Sequence, residues 1–133
     1  MERTLVLLKP DAVKKSIIGK IISIYEDNGL VVEKLKMISP TRKLLRDHYE
    51  EHKDKPFFEE LLSSLDGKEL IAMVIRGDQA ISAVRRLNGA TDPSKAEDGT
   101  IRKLYGTSIR HNAVHGSSDH EAAEREIKIW FAG

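Results

Sequence analysis

The chain has 133 residues, of which 40% are hydrophobic and 32% charged, and its 22 basic and 21 acidic side chains leave a net charge of +1. This composition is typical of one soluble globular domain, which we expect to span residues 1–133. The near-neutral charge excludes a protein that binds nucleic acid or membranes mainly through its overall charge. The sequence has no cysteine, which excludes disulfides, a thiol nucleophile and thiolate metal sites.

The first half of the chain predicts two strands and three helices. Residues 3–9 form the continuous apolar run of a buried strand, and residues 30–39 predict a second strand. Between them, an apolar stripe from Ile18 to Tyr25 has the spacing of an amphipathic helix. Two further helices are expected to start at Ser39-Pro40 and at Lys55-Pro56. Proline is common in the first turn of a helix, and Ser39 is also a typical cap residue.

The second half begins with a third apolar strand over residues 69–76. Asp78 is a candidate cap for a helix that runs through Leu87. A long polar loop over residues 89–99 then leads to a short helix over residues 100–105.

The C-terminal segment predicts one helix and one strand. Asp119 is the expected cap of a helix through Arg125, and residues 126–131 are predicted to form a last strand. The elements therefore follow a βαββαβ order with extra helices. We predict an α+β fold, namely a ferredoxin-like antiparallel four-stranded sheet with helices on one face and a long inserted loop.

Several common nucleotide and metal motifs are absent. The sequence contains no GxxxxGK[ST], no GxGxxG and no HExxH. His48 and His52 have the i, i+4 spacing of a ligand pair on a helix, but no third ligand is evident. We favour a helix surface or a partly buried pair, and we predict no metal site built from protein ligands alone.

Four polar residues stand at the ends of predicted elements. Lys9 ends a buried strand. Either its stem carries the ammonium group out into solvent, or the cation is held rigidly and faces an anion. Considered alone, the position of Lys9 favours the solvent-exposed interpretation. Arg85, Thr91 and Arg102 flank the long loop, and each alone is most simply a surface residue. Guanidinium groups bind phosphate oxygens bidentately, so the set together favours a polyphosphate ligand.

Phe57 and Leu61 lie four residues apart at the margin of a predicted apolar helix stripe. They either widen the buried stripe or form an exposed shelf for a flat ligand such as a nucleobase. The sequence pattern leaves these two interpretations open.

The segment from Arg110 to Asp119 concentrates imidazole, amide and hydroxyl groups in ten residues. A neutral imidazole nitrogen can attack phosphorus when an acceptor holds the other ring nitrogen. Glu126 is the candidate acceptor for His115, and Gly116 permits close approach of a ligand. Considered alone, His115 is better explained as a loop histidine with a satisfied hydrogen bond.

The stretch Asn112-Ala113-Val114-His115-Gly116-Ser117 resembles the active-site signature of nucleoside diphosphate kinases. Further similarities to that family run in order over nearly the whole chain. They comprise residues 3–13, His48-Tyr49, Pro56-Phe57-Phe58, residues 89–93, residues 99–102, Glu126-Ile127 and Trp130-Phe131. Each motif is weak alone, but the ordered set is highly specific.

The resemblance implies a ping-pong reaction. A nucleoside triphosphate such as ATP would give its γ-phosphoryl group to His115, and the phosphohistidine would pass it to a different nucleoside diphosphate. Glu126 and Ser117 would orient the ring, and Tyr49 would support its surroundings. The resemblance also implies the nucleotide contacts. Lys9 would contact phosphate and the sugar hydroxyl, and Asn112 would hold the ribose. The phosphates would be bound by Arg85, Thr91 and Arg102, and the base would lie against Phe57 with Leu61 beside it.

The resemblance also implies the cofactor and the partners. Mg²⁺ would arrive with the nucleotide, and the chain would form a homo-oligomer, either a tetramer or a hexamer. A shelf that touches only the face of a base discriminates poorly, so we expect broad tolerance of bases and sugars. No obligate nucleic acid or membrane partner is expected. Without a signal-peptide pattern or a membrane-length apolar run, we expect a cytoplasmic location.

Two departures from the family pattern stand out. The family commonly has Gly-Ser-Asp-Ser after the histidine, whereas here Ser118 precedes Asp119. The family commonly has Gly-Asp-Phe after the last arginine, whereas Lys103-Leu104-Tyr105 follows Arg102 here.

Two other functions compete with catalysis. A silent relative would bind nucleotides without turnover, although every family contact position is filled here. A nucleic-acid-binding protein would use the aromatic shelf with Arg85 and Arg86, although the net charge of +1 opposes this.

Overall fold

The computed structural model describes residues 1–132 and contains one four-stranded sheet. Its strands are β1 (Glu2–Leu8), β2 (Val31–Ile38), β3 (Leu70–Gly77) and β4 (Val114–Gly116). Their spatial order is β2-β3-β1-β4, and all neighbouring pairs are antiparallel. The α+β class and the antiparallel four-stranded sheet are therefore confirmed.

Seven α-helices surround the sheet within the described residues. They are α1 (Pro10–Lys14), α2 (Ile18–Asp27), α3 (Arg42–His48), α4 (Phe58–Leu65), α5 (Ala80–Asn88), α6 (Ile101–Tyr105) and α7 (His120–Phe131). Short 3₁₀ turns occupy Glu50–His52 and Pro93–Lys95. Within residues 1–132, no helix has both the length and the apolarity that a membrane crossing requires.

Helices cover both faces of the sheet, and the expectation of one covered face was wrong. Successive β1 side chains point to opposite faces, and from Thr4 to Leu8 both sets are buried. Val6 and Leu8 pack with residues of α2 and α5, whereas Leu5 and Leu7 pack with residues of α3, α4 and α7. A central strand buried on both sides explains the continuous apolar run in its sequence.

The predicted last strand over residues 126–131 was also wrong, because this segment continues helix α7. Its buried residues, Ala122, Ala123, Glu126 and Trp130, recur at helical spacing and face the sheet. Ile127, Ile129 and Phe131 alternate along the sequence as in a strand, but on the helix they are partly buried and pack against the same core as Trp130. The fourth strand is instead β4, which carries His115.

Two helix caps differ from the prediction. Thr41, not Ser39, caps α3, because its hydroxyl accepts a hydrogen bond from the Leu44 amide at 3.2 Å. Asp78 does not cap α5. The Glu2 carboxylate accepts from the Ile81 amide at 2.8 Å instead, because antiparallel pairing places Glu2 opposite Gly77 at the helix entrance.

Asp119 caps α7, the helix that carries Glu126, and the contribution of this cap to stability can be measured. Asp119 Oδ1 accepts a hydrogen bond from the Ala122 amide at 2.8 Å. We expect Asp119→Ala to lower the free energy of unfolding by about 1 kcal/mol, whereas Asp119→Asn, which keeps an acceptor, loses less. Urea unfolding of the three proteins measures this, and equal losses in both variants would contradict the capping role.

Candidate active site

A cavity of about 420 Å³ opens beside β4 and is walled by α3, α4, α5, α7 and the loops after α5 and α6. Ten of the eleven side chains singled out from the sequence line it. They are Lys9, Tyr49, Phe57, Leu61, Arg85, Thr91, Arg102, Asn112, His115 and Glu126. The eleventh, Ser117, is fully buried behind Glu126. The chain therefore gathers these residues from all along its length into one place.

His115 stands in the middle of β4, opposite Leu7 of the central strand, with 23% of its side chain exposed. The backbone that leads into it is tightly constrained. Ala113 has φ of +72°, and its amide donates to Asp11 Oδ2 at 3.0 Å. A non-glycine residue in this left-handed region needs support from its surroundings, and Asp11 supplies it.

One nitrogen of His115 is already engaged. Nε2 lies 2.8 Å from Glu126 Oε1, and the Ser117 hydroxyl donates to the same oxygen at 2.8 Å. Ser117 is itself held by the amide of Leu5, which donates to its Oγ at 3.2 Å. The carboxylate therefore favours the ring form that carries its proton on Nε2, which leaves the Nδ1 lone pair free.

The carboxylate of Glu126 stays ionised in this position. Burial alone would raise its pKa, but the hydrogen bond and charge of His115, aided by Ser117, hold the pKa below its ordinary value. An anion fixed against the imidazole stabilises the positive charge that the ring gains when Nδ1 forms a bond.

His48 is a buried neutral neighbour of His115. Its Nδ1 accepts a hydrogen bond from Trp130 Nε1 at 3.0 Å, and its ring meets that of His115 edge-on, with 4.7 Å between centroids. Burial, followed by the nearby charge of His115, lowers the pKa of His48 to about 3. The interpretation of His48 as a helix-surface residue was therefore wrong, and its partly buried alternative understates its burial.

Tyr49 completes this aromatic group. Its ring contacts His48 edge-on at 4.5 Å and lines the cavity. Burial raises its pKa far above the ordinary value, so the phenol stays neutral. His52 follows, with its ring centroid 6.4 Å from that of Tyr49.

Within residues 1–132, His48, His115 and Glu126 form the one group whose ligand atoms could together hold a metal ion, all within 4.8 Å. The hydrogen bonds oppose this use. Trp130 already donates to Nδ1 of His48, so its Nε2 carries the ring proton and cannot ligate without a change of tautomer. The group fits an orienting role better than a metal centre.

Lys9 is buried at the cavity wall, where Nζ donates to the Arg110 carbonyl at 3.0 Å and to Asn112 Oδ1 at 3.1 Å. Burial, which outweighs attraction from Asp11, lowers its pKa to about 8. The solvent-exposed alternative for Lys9 is therefore wrong. Asn112 is held in turn, since its Nδ2 donates to the Thr91 carbonyl at 3.0 Å.

The two loop arginines are fixed by backbone carbonyls. Arg102 donates to Gly89 and Val114, each at 2.8 Å, and Arg85 donates to Gly116 at 3.4 Å. Burial lowers the pKa of Arg102 from its ordinary value. These bonds leave the net positive charge uncompensated, because neutral carbonyls rather than carboxylates hold both guanidinium groups.

Phe57 is 39% exposed and lines the cavity with Leu61, which agrees with the shelf interpretation of this pair. Several other lining residues had no assigned role in the site, among them His48, Glu51, His52, Ile109 and Arg110. Ile109, at 60% exposed, lies in a polar loop, where an apolar side chain is a usable signal. Glu51 gave no signal beyond that of an ordinary helix-surface residue, and the i, i+4 spacing of His52 with His48 was not interpreted as part of this site.

Comparisons with known proteins agree with this geometry. The family model described as Nucleoside diphosphate kinase matches residues 2–133. A nucleoside diphosphate kinase of Thermobifida fusca is 49% identical over 98% of this chain and 97% of its own, and one of Clostridium perfringens is 46% identical over 98% and 92%. The crystal structure of the Encephalitozoon cuniculi nucleoside diphosphate kinase covers 100% of this chain and 90% of its own, with 41% identity and a TM-score of 0.97.

The buried state of His48 predicts a pH-dependent stability. Between about pH 6.5 and 3 the unfolded chain binds a proton at His48 that the native protein rejects, so the free energy of unfolding falls as the pH falls. The slope for one proton approaches about 1.4 kcal/mol per pH unit. We expect His48→Asn, measured by urea unfolding between pH 4 and 7, to flatten this dependence.

The exposed His120 on α7 offers a matched control for that measurement. His120→Gln removes one histidine without touching the buried group, so it should keep the wild-type slope. A wild-type slope in His48→Asn would show that His48 is not the group responsible.

Proposed function

Since the chain belongs to the nucleoside diphosphate kinase family of enzymes, which transfer phosphate between nucleotides, we propose that His115 carries the phosphoryl group in a ping-pong reaction. The observation that carries this proposal is the 2.8 Å contact between Glu126 and Nε2 of His115. It leaves Nδ1 as the nucleophilic nitrogen beside a cavity that several cations line.

In the first half-reaction, Nδ1 attacks the γ-phosphorus of a nucleoside triphosphate. A bond between phosphorus and Nδ1 forms, the bond to the bridging oxygen breaks, and the nucleoside diphosphate leaves with that electron pair. The proton on Nε2 stays in place, so the ring becomes cationic against the Glu126 carboxylate. A second diphosphate then attacks the phosphohistidine, and the same bonds form and break in reverse.

Cations supply most of the catalysis in phosphoryl transfer, because charge spreads over the oxygens of the moving group. We assign Lys9, Arg85 and Arg102 to this task, with Thr91 as an additional donor to phosphate. The arginines are held by carbonyls before any ligand binds, so little reorganisation is needed. We propose that Asn112 and Lys9 hold the sugar, and their mutual hydrogen bond of 3.1 Å supports this assignment.

Phe57 and Leu61 form the proposed support for the base, with Ile109 as a further apolar wall. Apolar contact with the face of a base does not read its polar edge. We therefore propose that purine and pyrimidine nucleotides, with ribose or deoxyribose, are all substrates.

Mg²⁺ is the cofactor that we propose, and the residues present fit a metal that arrives with the nucleotide. The cavity holds two carboxylates, Glu51 and Glu126, and Glu126 is already committed to His115. Mg²⁺ prefers several oxygen ligands and keeps its waters, so phosphate oxygens would supply most of its shell and Glu51 could add an outer contact. The bound metal would offset negative charge on the phosphates.

We also propose a homo-oligomer, either a tetramer or a hexamer, for this chain. Strand β2 is an edge of the sheet and exposes Val31, Leu35 and Met37, each 41% to 50%. An apolar edge strand pairs readily with a second copy. Light scattering on the purified protein measures the number of chains.

Two further assignments complete the proposal. Residues 1–133 act as one domain, since the family match runs over residues 2–133 without a break. The protein works in the cytoplasm, where nucleoside di- and triphosphates are abundant; its freedom from cysteine is compatible with that compartment. Fractionation of cells tests the location.

Incubation with γ-labelled ATP tests the phosphohistidine. We expect acid-labile, base-stable label on the wild-type protein and its transfer to an added nucleoside diphosphate. His115→Gln should lose both, because the amide cannot attack phosphorus, whereas the control His120→Gln should retain both. Persistent labelling and transfer in His115→Gln would overturn the assignment, and nucleotide binding without any turnover in the wild type would favour a silent relative.

The lowered pKa of Lys9 predicts the pH dependence of nucleotide use. In the free protein, which is the form that reacts with the triphosphate, the charge of Lys9 is lost as the pH rises through about 8, so kcat/KM for the triphosphate should fall at most about tenfold per pH unit above that value. Lys9→Gln should show low kcat/KM without this fall. Lys43→Gln, which removes an exposed lysine on α3, should follow the wild type, and a fall that survives in Lys9→Gln would contradict the assignment.

A further inference from the structure

Arg110 is a fourth cation at the cavity, and the mechanism above leaves it without a task. Its side chain lines the cavity beside Tyr49, Phe57 and Leu61. It also lines a second, smaller cavity of about 80 Å³ together with Lys9, so it forms part of the wall between the two. The side chain is 28% exposed, which is low for an arginine on a loop.

Two contacts fix Arg110 at opposite ends. Its carbonyl accepts a hydrogen bond from Lys9 Nζ at 3.0 Å. Its Nη1 lies 3.2 Å from Oε1 of Glu60, which belongs to α4 and follows Phe57 by three residues. The residue thus extends from the proposed sugar contacts to the helix that carries the proposed base shelf.

The guanidinium group has donors to spare. Nη1 is buried and, within residues 1–132, makes no hydrogen bond of good geometry despite its closeness to Glu60. Arg102, by comparison, uses both terminal nitrogens on backbone carbonyls. A buried donor without a partner is costly, and because the Arg110 side chain lines the ligand cavity, a bound ligand is the simplest acceptor for its spare donors.

Arg110 lies apart from the two arginines that are proposed to bind the phosphates. Arg85 and Arg102 bind carbonyls around β4 and the loop after α5, next to the nucleophile. Arg110 is tied to α4 instead, where the proposed base support lies. Arg110 also lies near enough to Lys9 to lower the pKa of that lysine, by less than burial and Arg102 do.

We propose that Arg110 is a nucleoside-binding residue, which donates hydrogen bonds to acceptor atoms of the sugar or base while Glu60 holds its guanidinium in place. This inference rests on the proposed nucleotide site and deepens it. Every nucleobase and both sugars carry acceptor atoms, so the contact adds affinity without narrow selection. It binds substrate in the ground and transition states alike, so it acts on KM rather than on kcat.

Steady-state kinetics of Arg110→Gln test the proposal. A hydrogen bond from a charged group predicts that KM for ADP and for GDP rises about tenfold, with kcat within about twofold of wild type. Glu60→Gln, which loosens the guanidinium without removing it, should raise KM by a smaller factor. Arg46→Ala, at an exposed position on α3, is the matched control and should match the wild type.

Inorganic tripolyphosphate separates nucleoside binding from phosphate binding, because it lacks the nucleoside. As a competitive inhibitor it should have the same inhibition constant against wild type and Arg110→Gln. A parallel rise in that constant would assign Arg110 to the phosphates, and an unchanged KM for both diphosphates would remove it from the site. Either result overturns the proposal, whereas a wild-type protein that transfers no phosphate would instead overturn the proposed function.

Discussion

The contact between the Glu126 carboxylate and Nε2 of His115 is the interaction on which the site depends. It joins the last helix to the shortest strand, and Ser117 links it to the backbone of the central strand. Because a buried carboxylate must be paired, the three groups hold one another in place. The direction of the free ring nitrogen is therefore a property of the whole fold rather than of a loop.

The fold resolves a conflict between burial and charge. Burial strengthens the attraction of a cation for phosphate but disfavours its charged form, which is why the pKa of Lys9 and that of Arg102 lie below their ordinary values. Carbonyl oxygens hold these cations without neutralising them. A polyanion that enters the cavity thus meets charges already stripped of much of their water.

The sequence predicted much of the fold because its signals were local. Continuous apolar runs marked β1 and β3, and helical stripes marked α2 and α4, and all four elements are present. The failures occurred where tertiary contacts decide. Glu2 replaces Asp78 as a cap through strand pairing, and the segment after Glu126 stays helical with Glu126 and Trp130 buried on one helix face.

For the candidate site, too, local sequence signals identified some residues, whereas others depend on tertiary contacts. Residues at element ends, such as Lys9 and Arg102, could be identified because a cation there is out of place, and the family resemblance supplied the rest. Arg110 could not be identified as a site residue, since its position at the cavity depends on its contact with Glu60 of α4. The buried condition of His48 was equally invisible, because it depends on three helices meeting the sheet.

The hydrogen bond from Trp130 to His48 gives the protein a built-in optical probe. Trp130 is the single tryptophan of the chain, and one imidazole separates its indole from the proposed nucleophile. Light emission from an indole responds to the electric field around it, so a change of charge on the neighbouring histidine ring alters that emission. The chemistry of this cavity can therefore be followed in real time without any attached dye.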